Sequence, residues 1–260
     1  MIAERLVSLA AGTILDVGPA EAVAVASAAG WPAVGIWFDP QTWDAARSRE
    51  VRLRLDDTGL VALDIEPIIL GPDGDPGEAL IEAAVAIEAH YVLVASRLAD
   101  HAAVTDRFAA LCDLAAGTGV QLVLEFLPIF GVRTLGDAAT IVRAAGRANG
   151  AVLVDALHLA RSGGSPSDLA LLEPALLPYL QLCDAPSVAP DASVPALLEE
   201  ALHGRLLVGD GGLPLHELLD AVPAVPLSFE LRSRTLRETY PDPRARASSV
   251  LASWQRFTAR

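Results

Sequence analysis

Short, continuously apolar runs recur along this chain, each followed by a longer Ala/Leu-rich amphipathic run, and this alternation limits the possible folds more than any other feature. The apolar runs predict strands over 6–10, 33–37, 60–66, 91–95, 121–125, 151–155, 179–184 and 225–230. The intervening segments predict helices over 19–29, 43–58, 76–89, 100–116, 135–145, 194–202 and 243–257, with helical turns over 168–177. Pro19 starts one helix, and Gly30 and Gly59 close two of them, as helix-end chemistry favours. Runs such as VLVAS, LVLEF and AVLVDA do not alternate apolar with polar residues, which suits parallel strands buried on both faces. Eight strand–helix units in 260 residues have the size and order of an α/β, (β/α)8 TIM barrel, a single domain spanning residues 1–260. The rival, a doubly wound open sheet, needs a glycine-rich fingerprint. Gly71, Gly74 and Gly77 have the spacing GxxGxxG in a Pro/Asp-rich stretch and read as a turn.

Composition narrows the chemistry. The chain has no lysine: all 19 basic residues are arginine, against 33 Asp plus Glu, for a formal charge of −14. A lysine Schiff base and a P-loop lysine are therefore excluded. So acidic a chain repels a polyphosphate backbone, and no nucleic-acid partner is expected. Cys112 and Cys183 have neither a metal-binding nor a redox spacing. The apolar N-terminal stretch has Glu4 beside Arg5 where a secretion signal carries net positive charge, so a cytoplasmic location is expected. No apolar run reaches the roughly 20 residues that span a bilayer.

Chemistry in such a barrel sits at the carboxyl ends of the strands. There the predicted strands place Glu66, Glu125, Asp155, Gln181 to Asp184, and Glu230. Each carboxylate follows an apolar run, where desolvation is costly without a partner. A lone acid at a strand end often caps the next helix. Acids converging from consecutive strands repel one another unless a cation lies between them. Arginine can supply that cation, but a divalent metal does so with better geometry. Asp155 is followed by His158 in a DxxH spacing that can bring both groups to one rim as the strand turns into a loop.

The segments LVLEFLP, VLVDALHLARSGG, PYLQLCDAP, GRLLVGDGGLPL and PLSFELRS, in this order and spacing, resemble the xylose isomerase-like barrels, specifically their sugar phosphate isomerase/epimerase branch. The likeness is weaker before residue 120, where AGWPAVGIW resembles the family's second strand. The resemblance implies one divalent metal held by Glu125, Asp155, Glu230 and, at a position where the family has histidine, Gln181. It also implies that Glu125 and Glu230 exchange protons with a carbon beside a carbonyl, and that His158 contacts substrate. Replacing imidazole by an amide leaves an all-oxygen ligand set, which favours Mn²⁺ or Mg²⁺ over Zn²⁺. The chain lacks the further His/Asp ligands that the fold's DNA-repair nucleases use for a multi-zinc cluster.

The expected activity is isomerisation or epimerisation of a small keto-sugar, polyol or hydroxy acid through an enediolate. The alternatives are a lyase or dehydratase using the same enolate chemistry, and a non-catalytic barrel that has lost its metal through Gln181. Arg232 follows Glu230 with the same strand parity and is a candidate for binding a substrate anion, or for pairing with a rim acid. Trp37 and Phe38 are candidates for an apolar wall, and Glu66 for a substrate hydroxyl or a helix cap. A homodimer is the default assembly for such proteins.

Overall fold

In the computed structural model, which describes residues 5–170, 172–222 and 224–259, the apolar runs become eight parallel strands that close into one barrel in the order β1 to β8. The strands are β1 (Val7–Leu9), β2 (Ala33–Trp37), β3 (Val61–Leu70), β4 (Tyr91–Ser96), β5 (Gln121–Glu125), β6 (Gly150–Asp155), β7 (Leu180–Leu182) and β8 (Leu227–Phe229). The helices are α1 (Pro19–Ala28), α2 (Ala45–Thr58), α3 (Gly77–Ile87), α4 (His101–Leu114), α5 (Leu135–Ala145), α6 (Ala156–Arg161), α7 (Pro166–Leu169), α8 (Val194–His203), α9 (Leu215–Asp220), α10 (Arg234–Thr239) and α11 (Pro243–Thr258). The barrel closes where Ser8 of β1 pairs with Ser228 of β8. Residues 1–4, which carry part of the leader reading, lie outside the described residues. No helix among the described residues is long and apolar enough to cross a membrane.

Local chemistry sets the ends of these helices. Asp44 caps α2 by accepting from the Arg47 amide, and Thr134 and Asp137 form a reciprocal capping box on α5. Gly59 ends α2 with φ 70°, a left-handed conformation that favours glycine. Most of the core lies between strands and helices, where residues such as Ile36, Val51, Phe108, Val152 and Trp254 interlock. A smaller cluster of Ala33, Leu63, Leu93, Val123, Ala151, Leu153 and Tyr179 fills the barrel interior.

Three differences from the sequence expectation bear on the site. β3 does not end at Glu66 but continues to Leu70, so Glu66 lies within the strand and does not cap a helix. The chain after Asp155 is not a loop: Asp155 Oδ1 accepts from the amides of Leu157 and His158 at 2.8 and 3.0 Å, and α6 starts there. β7 and β8 are only three residues long, so Asp184, Glu230 and Arg232 lie beyond their strands.

Candidate metal centre

Parallel pairing carries the polar residues into one row. Asp155 pairs in register with Gln181, Gln181 with Ser228, and Ser228 with Ser8. Paired residues on parallel strands point to the same face, here the barrel interior. Glu125 ends β5 beside this row, and Glu230 follows β8. The structure thus gathers Glu125, Asp155, His158, Gln181 and Glu230 at one end of the barrel, each at most 7% exposed.

Arg205 lies at the centre of this group. It is 2% exposed, on irregular chain after α8. Its Nη1 donates to Asp155 Oδ2 at 2.6 Å and its Nη2 lies 3.0 Å from Glu230 Oε2. Nη1 also reaches the Glu230 carbonyl oxygen at 3.3 Å, and Nε donates to the Ala201 carbonyl at 3.1 Å. The cation that the converging acids require is thus supplied, in part, by an arginine. Although burial opposes it, the Arg205 charge holds the Asp155 carboxyl below its ordinary pKa.

The two candidate glutamates differ. Glu230 lies in ion-pair range of two arginines: Oε2 is 3.0 Å from Arg205 Nη2, and Oε1 is 3.2 Å from Arg232 Nε, a contact that is not aligned as a hydrogen bond. Among the described residues Glu125 has no arginine within ion-pair range, although the Arg205 charge acts on it from further away; His158 Nε2 lies 4.0 Å from its Oε1. Burial first, then the charges of Asp155 and Glu230, push the Glu125 pKa well above the carboxylate range. Burial also pushes the His158 imidazole down, so it is neutral near pH 7. The Arg232 guanidinium lies 5.3 Å from the Trp37 ring centroid, so both sequence alternatives for Arg232 remain: it pairs with a rim acid, and it borders the mouth. Phe38 is buried against Trp43 and belongs to the core, which leaves Trp37 alone as the candidate apolar wall.

Three residues carry roles that the sequence did not reveal. Arg205 stands 50 residues from Asp155, with no periodicity to link them. Asp184 accepts from the amides of Ala185, Gly209, Gly211 and Leu213 at 2.9–3.0 Å, so it organises the GDGG loop and does not face the acidic cluster. Asp64 is fully buried below the rim, because an extra residue in β3 shifts the register and pairs Gly35 with Asp64. A side chain at position 35 would collide with Asp64 Oδ1, so only glycine leaves room for that carboxylate.

Burial pushes Asp64 up to about 7, aided by the Glu230 charge, while Tyr179 and Ser228 pull the other way. Its folded pKa exceeds the unfolded value near 3.9. The associated stability is therefore complete below about pH 4 and is lost as pH rises through 7. Asp64→Asn is expected to remove this loss, and urea melts of both proteins at pH 4, 6 and 8 measure it. Parallel pH profiles in wild type and variant would contradict the assignment.

The residues fit a divalent cation. Ligand atoms of Glu125, Asp155 and His158 lie within 4.8 Å of one another. Gln181 is 1% exposed, and neither its amide oxygen nor its nitrogen has a hydrogen-bond partner among the described residues, a costly state unless a ligand satisfies it. The acids also outnumber the two arginines.

A closed parallel barrel with acids gathered at the carboxyl ends of β5, β6 and β8 defines a (β/α)8 protein with a centre able to hold a metal. The family model described as xylose isomerase-like TIM barrel matches residues 23–254, and the chain belongs to that family. It is 29% identical over 225 residues to a 3-dehydroshikimate dehydratase of Pseudomonas aeruginosa, a match covering 79% of this chain and 34% of that protein. This chain thus spans about a third of the length of that relative. Among solved structures, a xylose isomerase-like TIM barrel/4-hydroxyphenylpyruvate dioxygenase fusion protein superposes with TM-score 0.81 at 23% identity, covering 96% of this chain and 42% of that one. The IolI protein with a bound zinc atom superposes with TM-score 0.81 at 16% identity, covering 96% of each chain.

Proposed function

We propose that this chain is a divalent-metal-dependent lyase that removes water from a small hydroxy-keto acid. The observation that carries this reading is the asymmetry of the two glutamates. Epimerisation by paired bases needs two carboxylates free to exchange protons on opposite faces of one carbon. Here Glu230 lies in ion-pair range of two arginines, whereas Glu125 is buried with none in that range among the described residues. One available base suits elimination. The dehydratase name of the Pseudomonas aeruginosa relative supports the same outcome.

Glu125, Asp155, Gln181 and Glu230 would hold the metal. When bound, the divalent ion supplies Lewis-acid stabilisation of charge developing on adjacent substrate oxygens. Glu125 takes the proton from the carbon beside the carbonyl. That proton passes to the β-hydroxyl, which leaves as water, so the net change is one water lost and one double bond gained. Neutral His158 hydrogen-bonds a substrate oxygen, Trp37 walls the mouth, and Glu66 faces a substrate hydroxyl. Burial and the charges of Glu230 and Asp64 push Glu66 well above the carboxylate range, so it is poised to donate a hydrogen bond. Those four residues offer only oxygen, which favours Mn²⁺ or Mg²⁺; the His158 nitrogen, within 4.8 Å of the Glu125 and Asp155 oxygens, is the group beside them that would shift the preference towards Zn²⁺ if it ligated.

The second reading, an isomerase or epimerase acting on a keto-sugar or polyol, uses the same centre and requires Glu230 to leave its arginines. One assay separates the two. Protein supplied with Mn²⁺ or Mg²⁺ is incubated in D₂O with 3-dehydroshikimate and a panel of keto-sugars, followed by NMR. Unsaturated product without an accumulating epimer is expected. Deuterium incorporation with epimer and no elimination would replace the lyase reading by the isomerase one. No reaction together with no metal binding would remove both and leave the non-catalytic barrel.

A further inference from the structure

A cavity of about 180 Å³ lies beside the mouth and gathers positive charge in a chain whose net charge is −14. Its walls come from the chain after β1, the chain after β8, the end of α8 and α11. They include Gly12, Asp16, His203, Arg232, Arg237 and Arg246. Arg246 is committed: it grips both oxygens of Asp16 at 2.7 and 2.8 Å, so this pair is neutral. Arg232 shares its charge with Glu230, 3.2 Å away, which leaves Arg237, among the described residues, as the wall's cation outside any ion pair. The Arg237 side chain makes no hydrogen bond or ion pair among the described residues, and it lies near enough to lower the pKa of Asp16. Arg232 turns one nitrogen to Glu230 Oε1 at 3.2 Å and lines the cavity as well. Gly12 lines the cavity and lies against Glu230: a Cβ there would collide with the Glu230 carboxylate, so glycine keeps the cavity close to the centre.

We propose that this cavity is an oxyanion subsite, which takes the acid group of the substrate, carboxylate or phosphate, on Arg232 and Arg237. The inference deepens the dehydratase reading and rests on it for the identity of the molecule that carries the acid group. Guanidinium groups present paired donors that match either oxyanion. The cavity, about 180 Å³ and open to solvent, has room for an acid group with a few carbons. An arriving anion competes with Glu230 for Arg232. Binding of the acid group would therefore loosen one of the two ion pairs on that carboxylate.

Calorimetric titration of the purified protein with inorganic phosphate, cyclohexanecarboxylate and neutral cyclohexanecarboxamide tests the proposal without turnover. One of the two anions is expected to bind at a single site, and which one binds separates a carboxylate substrate from a phosphorylated one. The carboxamide is expected not to bind. Arg237→Gln is expected to weaken the anion about tenfold, the loss of one charge-assisted hydrogen bond. Arg237→Lys is expected to recover part of the affinity. Arg237 is exposed on a six-residue helix, and a thermal melt verifies that both variants fold. No binding of either anion, equal affinity in wild type and Arg237→Gln, or carboxamide binding as tight as the acid would overturn the subsite. Intact anion binding in a protein that dehydrates nothing would keep the subsite and remove the dehydratase reading.

Discussion

Glu125→Gln is expected to lower turnover by about 10²–10⁴-fold while leaving the metal-free protein at least as stable as wild type. The two effects have one cause. Glu125 is 6% exposed, with a neutral imidazole 4.0 Å away and no arginine within ion-pair range among the described residues. Its folded pKa lies well above the unfolded value. Such a group is protonated in both states at low pH, and the folded protein loses stability as pH rises from the unfolded pKa through the folded one. Glutamine keeps the shape and removes the charge, so that loss disappears, as does the base. Steady-state rates on the active substrate and melts in chelator at pH 8 give both numbers. A variant that keeps more than a tenth of the rate would show that Glu125 is not the base. A lower melting temperature without metal would show that its charge is balanced by a partner in the wild-type protein.

Arg205→Met is expected to destabilise the metal-free protein by about 3–5 kcal/mol, the usual cost of removing one partner from a buried ion pair. For a chain of this size that is a fall of roughly 6–20 °C in melting temperature. Arg205 joins Asp155 and Glu230, whose side chains are 0% and 9% exposed. Methionine fills the volume, but Asp155 then loses its arginine and Glu230 keeps only Arg232. A divalent ion at Glu125, Asp155, Gln181 and Glu230 supplies the missing charge, so millimolar Mn²⁺ is expected to restore more stability in the variant than in wild type. Scanning calorimetry with and without Mn²⁺ measures both. Equal stabilisation by metal in the two proteins would mean that arginine and ion do not share the same acids.

The parts of the fold that could be read from sequence are those whose signal is local. β5 and β6 show continuous apolar runs ending in an acid, and Glu125 and Asp155 end those strands as expected. α5 matches its predicted bounds because Thr134 and Gly146 mark its ends. The rest needed information from distant residues. β3 runs past Pro67 to Leu70, although proline suggests an end. α9 and α10 are six residues each, too short for a clear helical period, and they lie among prolines and arginines that resemble loop. The largest miss is Arg205. The converging acids call for a cation, arginine or divalent metal, but nothing in the sequence says which arginine reaches them. Tertiary structure brings an arginine from irregular chain onto Asp155 and Glu230. The acidic cluster was therefore legible, whereas the charge balance that decides which acid acts as base was not.

The central claim is that Glu125, Asp155, Gln181 and Glu230 together hold one divalent ion. A crystal grown with Mn²⁺, with diffraction recorded on both sides of the manganese absorption edge, tests it most directly. The account predicts one anomalous peak between these four side chains, with the Gln181 amide oxygen turned towards it. An absence of any peak there, with Arg205 still bonded to both Asp155 and Glu230, would contradict it.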